Sequence, residues 1–197
     1  MDDQFEQSIS FKVDNSLNSK ETDVPLSTAN NSFENKKYIP KDMKSHIISA
    51  IAANLKDIIE ENKKMYNNNT LRDNIFYLEK LPPISLENYI HHLVKYTNMN
   101  ISSLILSIIY IDQFCEKYRY VLSLNNIYRL ILVFAFLSMK YNEDIIVNAK
   151  AYAQIAGITV EDLENLEFQM FQALDFNFYV KSDTYQQYYV YFCKFSP

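Results

Sequence analysis

Apolar residues recur at three- and four-residue steps through most of the chain after residue 40, which is the spacing of one face of an α-helix. The first such stripe contains Ile47, Ile51, Leu55 and Ile58. Later stripes predict further helices over residues 85–96, 101–118, 127–141 and 147–156, one beginning at 159, and a terminal helix over 185–192. The pattern therefore predicts an all-α protein.

Two of these helices are apolar on more than one face and should lie in the interior. Residues 101–111 are apolar on nearly every side, and Leu130–Leu137 contains no polar residue, so the latter helix should be the most buried. Gly157 follows the fourth helix of this series, where a left-handed residue is expected. Thr159 then caps the fifth, with Asp162 three positions later.

The composition removes several classes of protein. The chain has one glycine among 197 residues, so neither a dinucleotide-binding glycine motif nor a P-loop can be written. Scarce glycine also disfavours β-sandwiches and barrels, whose hairpins require it. A net charge of −5 carries no basic excess, and we therefore expect no nucleic-acid partner.

Residues that could carry catalysis or bind a metal are few. The chain has three histidines, none in metalloprotease spacing, and adjacent His91 and His92 point about 100° apart on a helix. Acidic residues 161–167 lie at a helix start, where they complement the helix dipole. The sequence therefore predicts a protein that is not an enzyme and has no catalytic residue, metal, cofactor or small-molecule substrate.

The cysteines and apolar runs predict the compartment. Cys115 and Cys193 lie far apart, and the N-terminus has neither the basic nor the apolar region of a secretory signal. No apolar run reaches the length of about 20 residues that spans a bilayer. We therefore expect no membrane partner and an intracellular protein, in the nucleus and/or cytoplasm, with Cys115 as a buried free thiol.

Two charged residues each stand at the end of an apolar stretch and are followed by aromatic residues. They are Lys140, before Tyr141, and Glu167, before Phe168. In one interpretation, Lys140 extends from a helix end into water and Glu167 is solvated. In the other, both belong to an exposed aromatic surface that binds a protein.

Several ordered segments resemble those of the P/U-type cyclins, the relatives of the yeast phosphate-signalling cyclin. The resemblance covers roughly residues 74 to 180. It is carried by Leu81-Pro82-Pro83-Ile84-Ser85-Leu86, Tyr110-Ile111-Asp112, Tyr128-Arg129-Leu130, Met139-Lys140-Tyr141, Tyr152-Ala153, Ala156-Gly157-Ile158, Leu166-Glu167 and Leu174-Asp175-Phe176.

The fold that this resemblance implies is a single five-helix cyclin box with an N-terminal flanking helix and a short C-terminal helix. The polar residues 1–40 lack a helical period and are predicted to be a disordered tail. The flanking helix is assigned to 41–66, the cyclin box to 70–180 and the C-terminal helix to 181–197.

The resemblance also implies a function, that of a cyclin which binds and activates a cyclin-dependent protein kinase. By position, Lys140 and Glu167 would engage the mobile helix of the kinase and its adjoining loop. The resemblance further implies apolar kinase contacts from Leu137, Tyr141, Phe171 and Phe176.

The chain departs from the family pattern at three places. Residues 83–86 stand where mitotic cyclins carry a substrate-docking patch, so that docking function is not implied here. Gln113 replaces a usual basic residue after Asp112, and His92 replaces a usual arginine. We hypothesise that Asp112, inside an interior helix, pairs with His92 or Arg129.

Two alternatives predict different features. A cyclin-box transcription or scaffold protein without a kinase partner, of the general-factor IIB type, predicts a second box and a basic surface. A helical enzyme with an unrecognised site predicts clustered polar residues inside the bundle. Neither feature is apparent in the sequence.

Overall fold

Seven α-helices and no strand make up residues 41–65 and 75–195, the part of the chain that the computed structural model describes. The helices are α1 (Lys41–Met65), α2 (Leu86–Tyr96), α3 (Ile101–Tyr118), α4 (Leu124–Asn142), α5 (Ala149–Ala156), α6 (Val160–Ala173) and α7 (Ser182–Lys194). The all-α prediction is confirmed. The predicted disordered tail, residues 1–40, lies outside the described residues.

Helices α3 and α4 form the most extensive helix pair and the centre of the bundle. Every residue from Leu130 to Met139 is buried, which confirms that α4 is apolar on all sides because all sides are covered. Helices α2 and α6 pack on α4, while α5 packs on α2 and α6. Cys115 on α3 is a buried free thiol, as expected.

Helices α1 and α7 flank this bundle and share its core. Helix α1 packs on α2 and α7, and its Ile47, Ile51 and Leu55 are fully buried. The Asn54 side-chain amide donates a hydrogen bond of 2.7 Å to the Tyr191 hydroxyl, which joins α1 to α7. Both flanking helices are therefore integral to the fold.

The helix ends follow from local capping. The Ser85 hydroxyl accepts a hydrogen bond from the Asn88 N–H at the start of α2. Helix α4 starts one turn earlier than predicted, and the Asn126 side chain accepts from the Ser123 N–H there. Helix α5 starts two residues later than predicted, because Asn148 caps it by accepting from the Ala151 N–H.

The link between α5 and α6 has the predicted geometry. Gly157 adopts a left-handed conformation, with φ of 75°, and it ends α5. The Thr159 hydroxyl then accepts a hydrogen bond of 3.0 Å from the Asp162 N–H and starts α6. This three-residue link fixes the orientation of the helix that carries Glu167.

The hypothesis that Asp112 pairs with His92 or Arg129 is wrong. His92 Nε2 lies 2.9 Å from the Ile155 carbonyl oxygen, and Arg129 donates to the Ile75 carbonyl. Their helices direct both side chains toward backbone oxygens in other segments. The Asp112 carboxylate instead accepts a hydrogen bond from the Tyr188 hydroxyl on α7.

Candidate functional site

Lys140 and Glu167, which the sequence singled out separately, form an ion pair. Lys140 lies in the last turn of α4 and Glu167 in the middle of α6, two helices that pack against each other. Lys140 Nζ is 2.5 Å from Glu167 Oε1. The lysine side chain is 40% exposed and the glutamate side chain 14% exposed, so the pair lies at the surface with its acid partly covered.

Aromatic rings surround the charge of Lys140. Its Nζ lies 5.3 Å from the centre of the Phe136 ring and 5.9 Å from that of Phe171. An ammonium at this distance is attracted to the electron-rich face of a ring. The ion pair and the two rings together restrict where the lysine side chain can point.

Exposed aromatic side chains extend outward from this ion pair. We call the surface formed by Lys140, Glu167, Tyr141, Phe171, Phe176 and Tyr179 the aromatic face. Tyr141, Phe176 and Tyr179 are 62%, 68% and 70% exposed. Phe171 stacks on Phe176 with ring centres 5.8 Å apart. Large apolar side chains that cluster at the surface are typical of a protein-binding site.

Buried Phe178 connects the parts of the aromatic face from beneath. Its ring centre lies 5.2 Å from that of Phe171 and 5.6 Å from that of Tyr141. The Tyr110 hydroxyl donates a hydrogen bond of 2.9 Å to the Phe178 carbonyl oxygen. Burial raises the pKa of Tyr110 to about 12, so this donor keeps its proton at neutral pH.

A cleft opens beside the aromatic face, between α3, the end of α4 and α7. Its volume is 490 Å³, and Leu106, Tyr110, Tyr141, Phe178 and Tyr185 are among the residues that line it. The cleft is mostly apolar and open to solvent on one side. It therefore adds a concave surface next to the protruding aromatic rings.

Five of the six residues predicted as contacts lie together on the aromatic face, and one does not. Leu137 is 1% exposed and lies in the core below the aromatic face. The prediction that Leu137 contacts the kinase directly is therefore corrected. The reason is that the unbroken apolar run of α4 gives no sign of which residues reach its one exposed turn. Exposed Tyr179 was not singled out, and exposed Phe168 was noted after Glu167 but not predicted as a contact. Leu163, Leu166 and Met170 mark the opposite, buried side of α6.

Two further features of the described residues concern groups of metal ligands and helices that could span a membrane. Within them no three histidine, cysteine, aspartate or glutamate side chains are grouped to hold a metal ion. None of the helices in residues 41–65 and 75–195 has the length and apolarity that crossing a membrane requires.

Comparison with known proteins yields a consistent set of relatives. The family model described as Cyclin matches residues 11–178. The chain is similar to Cyclin-U2-1 of Arabidopsis thaliana, with 27% identity over 115 residues, or 58% of this chain and 52% of that protein. It is also similar to Cyclin-P3-1 of Oryza sativa subsp. japonica, with 24% identity over 181 residues, or 90% of this chain and 75% of that protein.

Cyclin-U3-1 of Arabidopsis thaliana shows higher identity, 34%, over a shorter stretch of 104 residues. That stretch is 53% of this chain and 47% of the relative, so the chain spans about half the length of two of these three relatives. The family model, in contrast, covers most of the chain. The chain therefore belongs to the cyclin family, whose members are in general regulatory and non-catalytic, and it carries a cyclin box of the P/U type.

Proposed function

We propose that this cyclin binds a cyclin-dependent protein kinase through the aromatic face and stabilises the active conformation of that kinase. The observation that carries the proposal is the Lys140–Glu167 ion pair at the surface of a cyclin box, next to a cluster of exposed aromatic rings. The proposal places the protein inside the cell, in the nucleus and/or cytoplasm, together with its kinase.

Within the aromatic face, the rings and the charges have different tasks. Aromatic side chains bury large areas and dominate the affinity of most protein interfaces. The ammonium of Lys140 has three N–H donors, and Glu167 is its one hydrogen-bond acceptor among the described residues. The remaining donors are directed by the ion pair and can bind carbonyl oxygens of a kinase helix or loop, which fixes the register of binding.

Activation follows from selective binding. A protein kinase is active when a lysine on one of its strands pairs with a glutamate on its mobile αC helix. A cyclin that binds the αC helix only in this position shifts the kinase population toward it. The factor by which bound cyclin shifts the equilibrium between the two kinase conformations equals the ratio of its affinities for them. Raising the active population from 1% to 99% therefore needs a ratio of about 10⁴, which is about 5.5 kcal/mol.

The test uses purified chain and a panel of purified, cyclin-free cyclin-dependent kinases. Binding is measured by interferometry and activity by phosphorylation of a peptide substrate. We expect at least one kinase to bind and to gain activity. Lys140→Glu and Glu167→Lys should each weaken that binding at least about tenfold, because like charges then oppose the groups that the wild-type residues bind.

Matched controls come from α1, which packs on α2 and α7. Lys56→Glu and Glu60→Lys make the same charge changes at exposed positions and should leave binding unchanged. The double variant Lys140→Glu/Glu167→Lys restores an ion pair within the chain but exchanges its ends. Its helical circular dichroism should match wild type while its kinase binding stays weak.

Two outcomes would contradict the proposal. Failure of the wild-type chain to bind any kinase of the panel would reject the partner class. Binding that leaves the activity of the kinase unchanged would reject activation and favour the alternative of a cyclin-box scaffold.

A further inference from the structure

The turn that follows α6 has an unusual backbone. Asp175 and Phe176 are consecutive and both left-handed, with φ of 51° and 56°. A bulky residue with positive φ is a genuine outlier, and such residues cost about 1–3 kcal/mol each. The Phe176 N–H donates a hydrogen bond of 2.9 Å to the Phe171 carbonyl, so the turn folds back on the last turn of α6.

Burial does not compensate for this strain. The Asp175 side chain is 77% exposed and Phe176 is 68% exposed. A turn with glycine at these positions could close without the strain. What the observed conformation does achieve is to stack Phe176 on Phe171, beside the Lys140–Glu167 ion pair.

The turn is held from outside by the end of α3. Lys117 Nζ donates a hydrogen bond of 2.9 Å to the Ala173 carbonyl oxygen and lies 2.6 Å from Asp175 Oδ2. The Tyr118 hydroxyl donates a second bond, of 3.0 Å, to the Ala173 carbonyl. The hydrogen bond that Lys117 donates to the Asp175 carboxylate raises the pKa of Lys117, so the lysine is a cation at neutral pH.

We propose that Lys117, Tyr118 and Asp175 are positioning residues that hold Phe176 in the orientation in which the aromatic face binds its partner. This inference rests on the proposed function and extends it to two residues of α3 and one of the turn after α6, all outside the predicted contact set. The three residues form the α3 clamp. They need not touch the kinase. They act by raising the fraction of molecules in which the turn presents Phe176 to a partner.

The expected effect follows from that population. If only a fraction of molecules presents Phe176 correctly, the apparent dissociation constant rises by the inverse of this fraction. Exposed ion pairs contribute little to overall stability. Loss of the α3 clamp should therefore weaken binding while the chain remains folded, which separates a positioning role from a structural one.

The first experiment needs no kinase. Amide hydrogen exchange of Phe176 is measured in Lys117→Met, Lys117→Arg and wild-type chains. Without the clamp the turn should open more often, so protection of the Phe176 N–H should fall about three- to fivefold in Lys117→Met and recover in Lys117→Arg. Denaturant unfolding midpoints should be the same in all three.

Lys95→Met provides a matched control. Lys95 lies 5.1 Å from the ring centre of Tyr96, and Lys117 lies 5.3 Å from that of Tyr118, so both lysines contact the aromatic residue that follows them. Only Lys117 of the two bonds to the end of α6. Lys95→Met should therefore leave the Phe176 N–H protection unchanged.

The second experiment measures binding of the same variants to the purified kinase that the wild-type chain binds most tightly in the panel. Lys117→Met should weaken binding measurably, by at most the factor by which Phe176 protection falls, and Lys117→Arg should restore it. Unchanged Phe176 protection in Lys117→Met, or looser protection with unchanged binding, would overturn the positioning role alone. A wild-type chain that binds no kinase would overturn the proposed function and this extension together.

Discussion

Two clusters of aromatic residues in this cyclin differ in their exposure to water: the interior around α3 and α4, and the aromatic face at its edge. In the interior, Tyr110, Phe134 and Tyr152 are fully buried and contact other rings at edge or tilted angles. On the aromatic face, Phe176 and Tyr179 are about two thirds exposed. The same residue types therefore occupy opposite environments in the two regions.

The two regions differ in what surrounds each ring, protein or water. Interior tyrosines donate their hydroxyls to carbonyl oxygens, as Tyr152 does to Leu132 at 2.8 Å and Tyr110 to Phe178 at 2.9 Å. Phe176 instead stands in a strained turn with most of its surface in water. Burial of the interior rings stabilises the fold. Burial of the exposed rings can occur only when a partner covers them, so it stabilises the complex.

The largest expected effect is in the interior. Phe134→Ala should destabilise the chain by about 3–5 kcal/mol, because it leaves a cavity between Tyr110 and Phe114 that neighbouring rings cannot fill. Urea unfolding monitored by circular dichroism measures this loss. A loss below about 1 kcal/mol would mean that the interior tolerates voids and is less tightly packed than its burial indicates.

A smaller effect on stability but a clear one on binding is expected at the aromatic face. Phe176→Ala should change the unfolding free energy by less than about 0.5 kcal/mol, because the ring is mostly exposed. Kinase affinity should fall about tenfold, as expected for an aromatic residue central to an interface. Equal effects on both quantities would remove the distinction between the two regions.

Hydroxyl deletion sharpens the comparison further. Tyr152→Phe removes a buried hydrogen bond to the Leu132 carbonyl and should cost about 1 kcal/mol of unfolding free energy. Tyr179→Phe makes the same change at a side chain that is 70% exposed and should be neutral. Parallel urea titrations of the two variants test the difference, and equal costs would contradict it.

The smallest effect at neutral pH concerns ionisation. Burial raises the pKa of Tyr110 to about 12 from its ordinary value of 10.0. The corresponding stabilisation is complete below pH 10 and is lost as the pH rises toward 12, because the unfolded chain ionises first. Between these values, urea midpoints of wild type should fall more steeply than those of Tyr110→Phe. Equal slopes would show that Tyr110 is not the titrating group.

Periodicity predicted most of the helices because these bury one side along their length, whereas α4 is buried on all sides. The predicted bounds of residues 101–118 coincide with α3, and Gly157 ends α5 in the expected conformation. Both features are local, so neighbouring residues determine them. Lys140 and Glu167 were recognisable because a charge at the end of an apolar stretch must reach either water or a partner.

Other features depend on contacts between distant segments. That Lys140 and Glu167 bind each other depends on how α4 packs on α6, which neither stretch reveals alone. Asp112 accepts a hydrogen bond from Tyr188, which is 76 positions away. The partners predicted from the sequence, His92 and Arg129, are closer along the chain but were wrong. Leu137 was misplaced because an apolar run without polar residues does not show which side of the helix faces water. The left-handed turn at Asp175 and Phe176 could not be predicted, because it contains no glycine.

The hydrogen bond between Asn54 and Tyr191 has a consequence for how the protein is made. These residues are 137 positions apart, and synthesis proceeds at about 5–20 residues per second, so Tyr191 follows Asn54 after about 7–27 s. Until Tyr191 is made, α1 lacks the surface that α7 later provides, so α7 cannot yet cover its share of the α1 apolar stripe. This cyclin thus has a period during its own synthesis when it is most exposed to wrong associations, and α7 brings that period to an end.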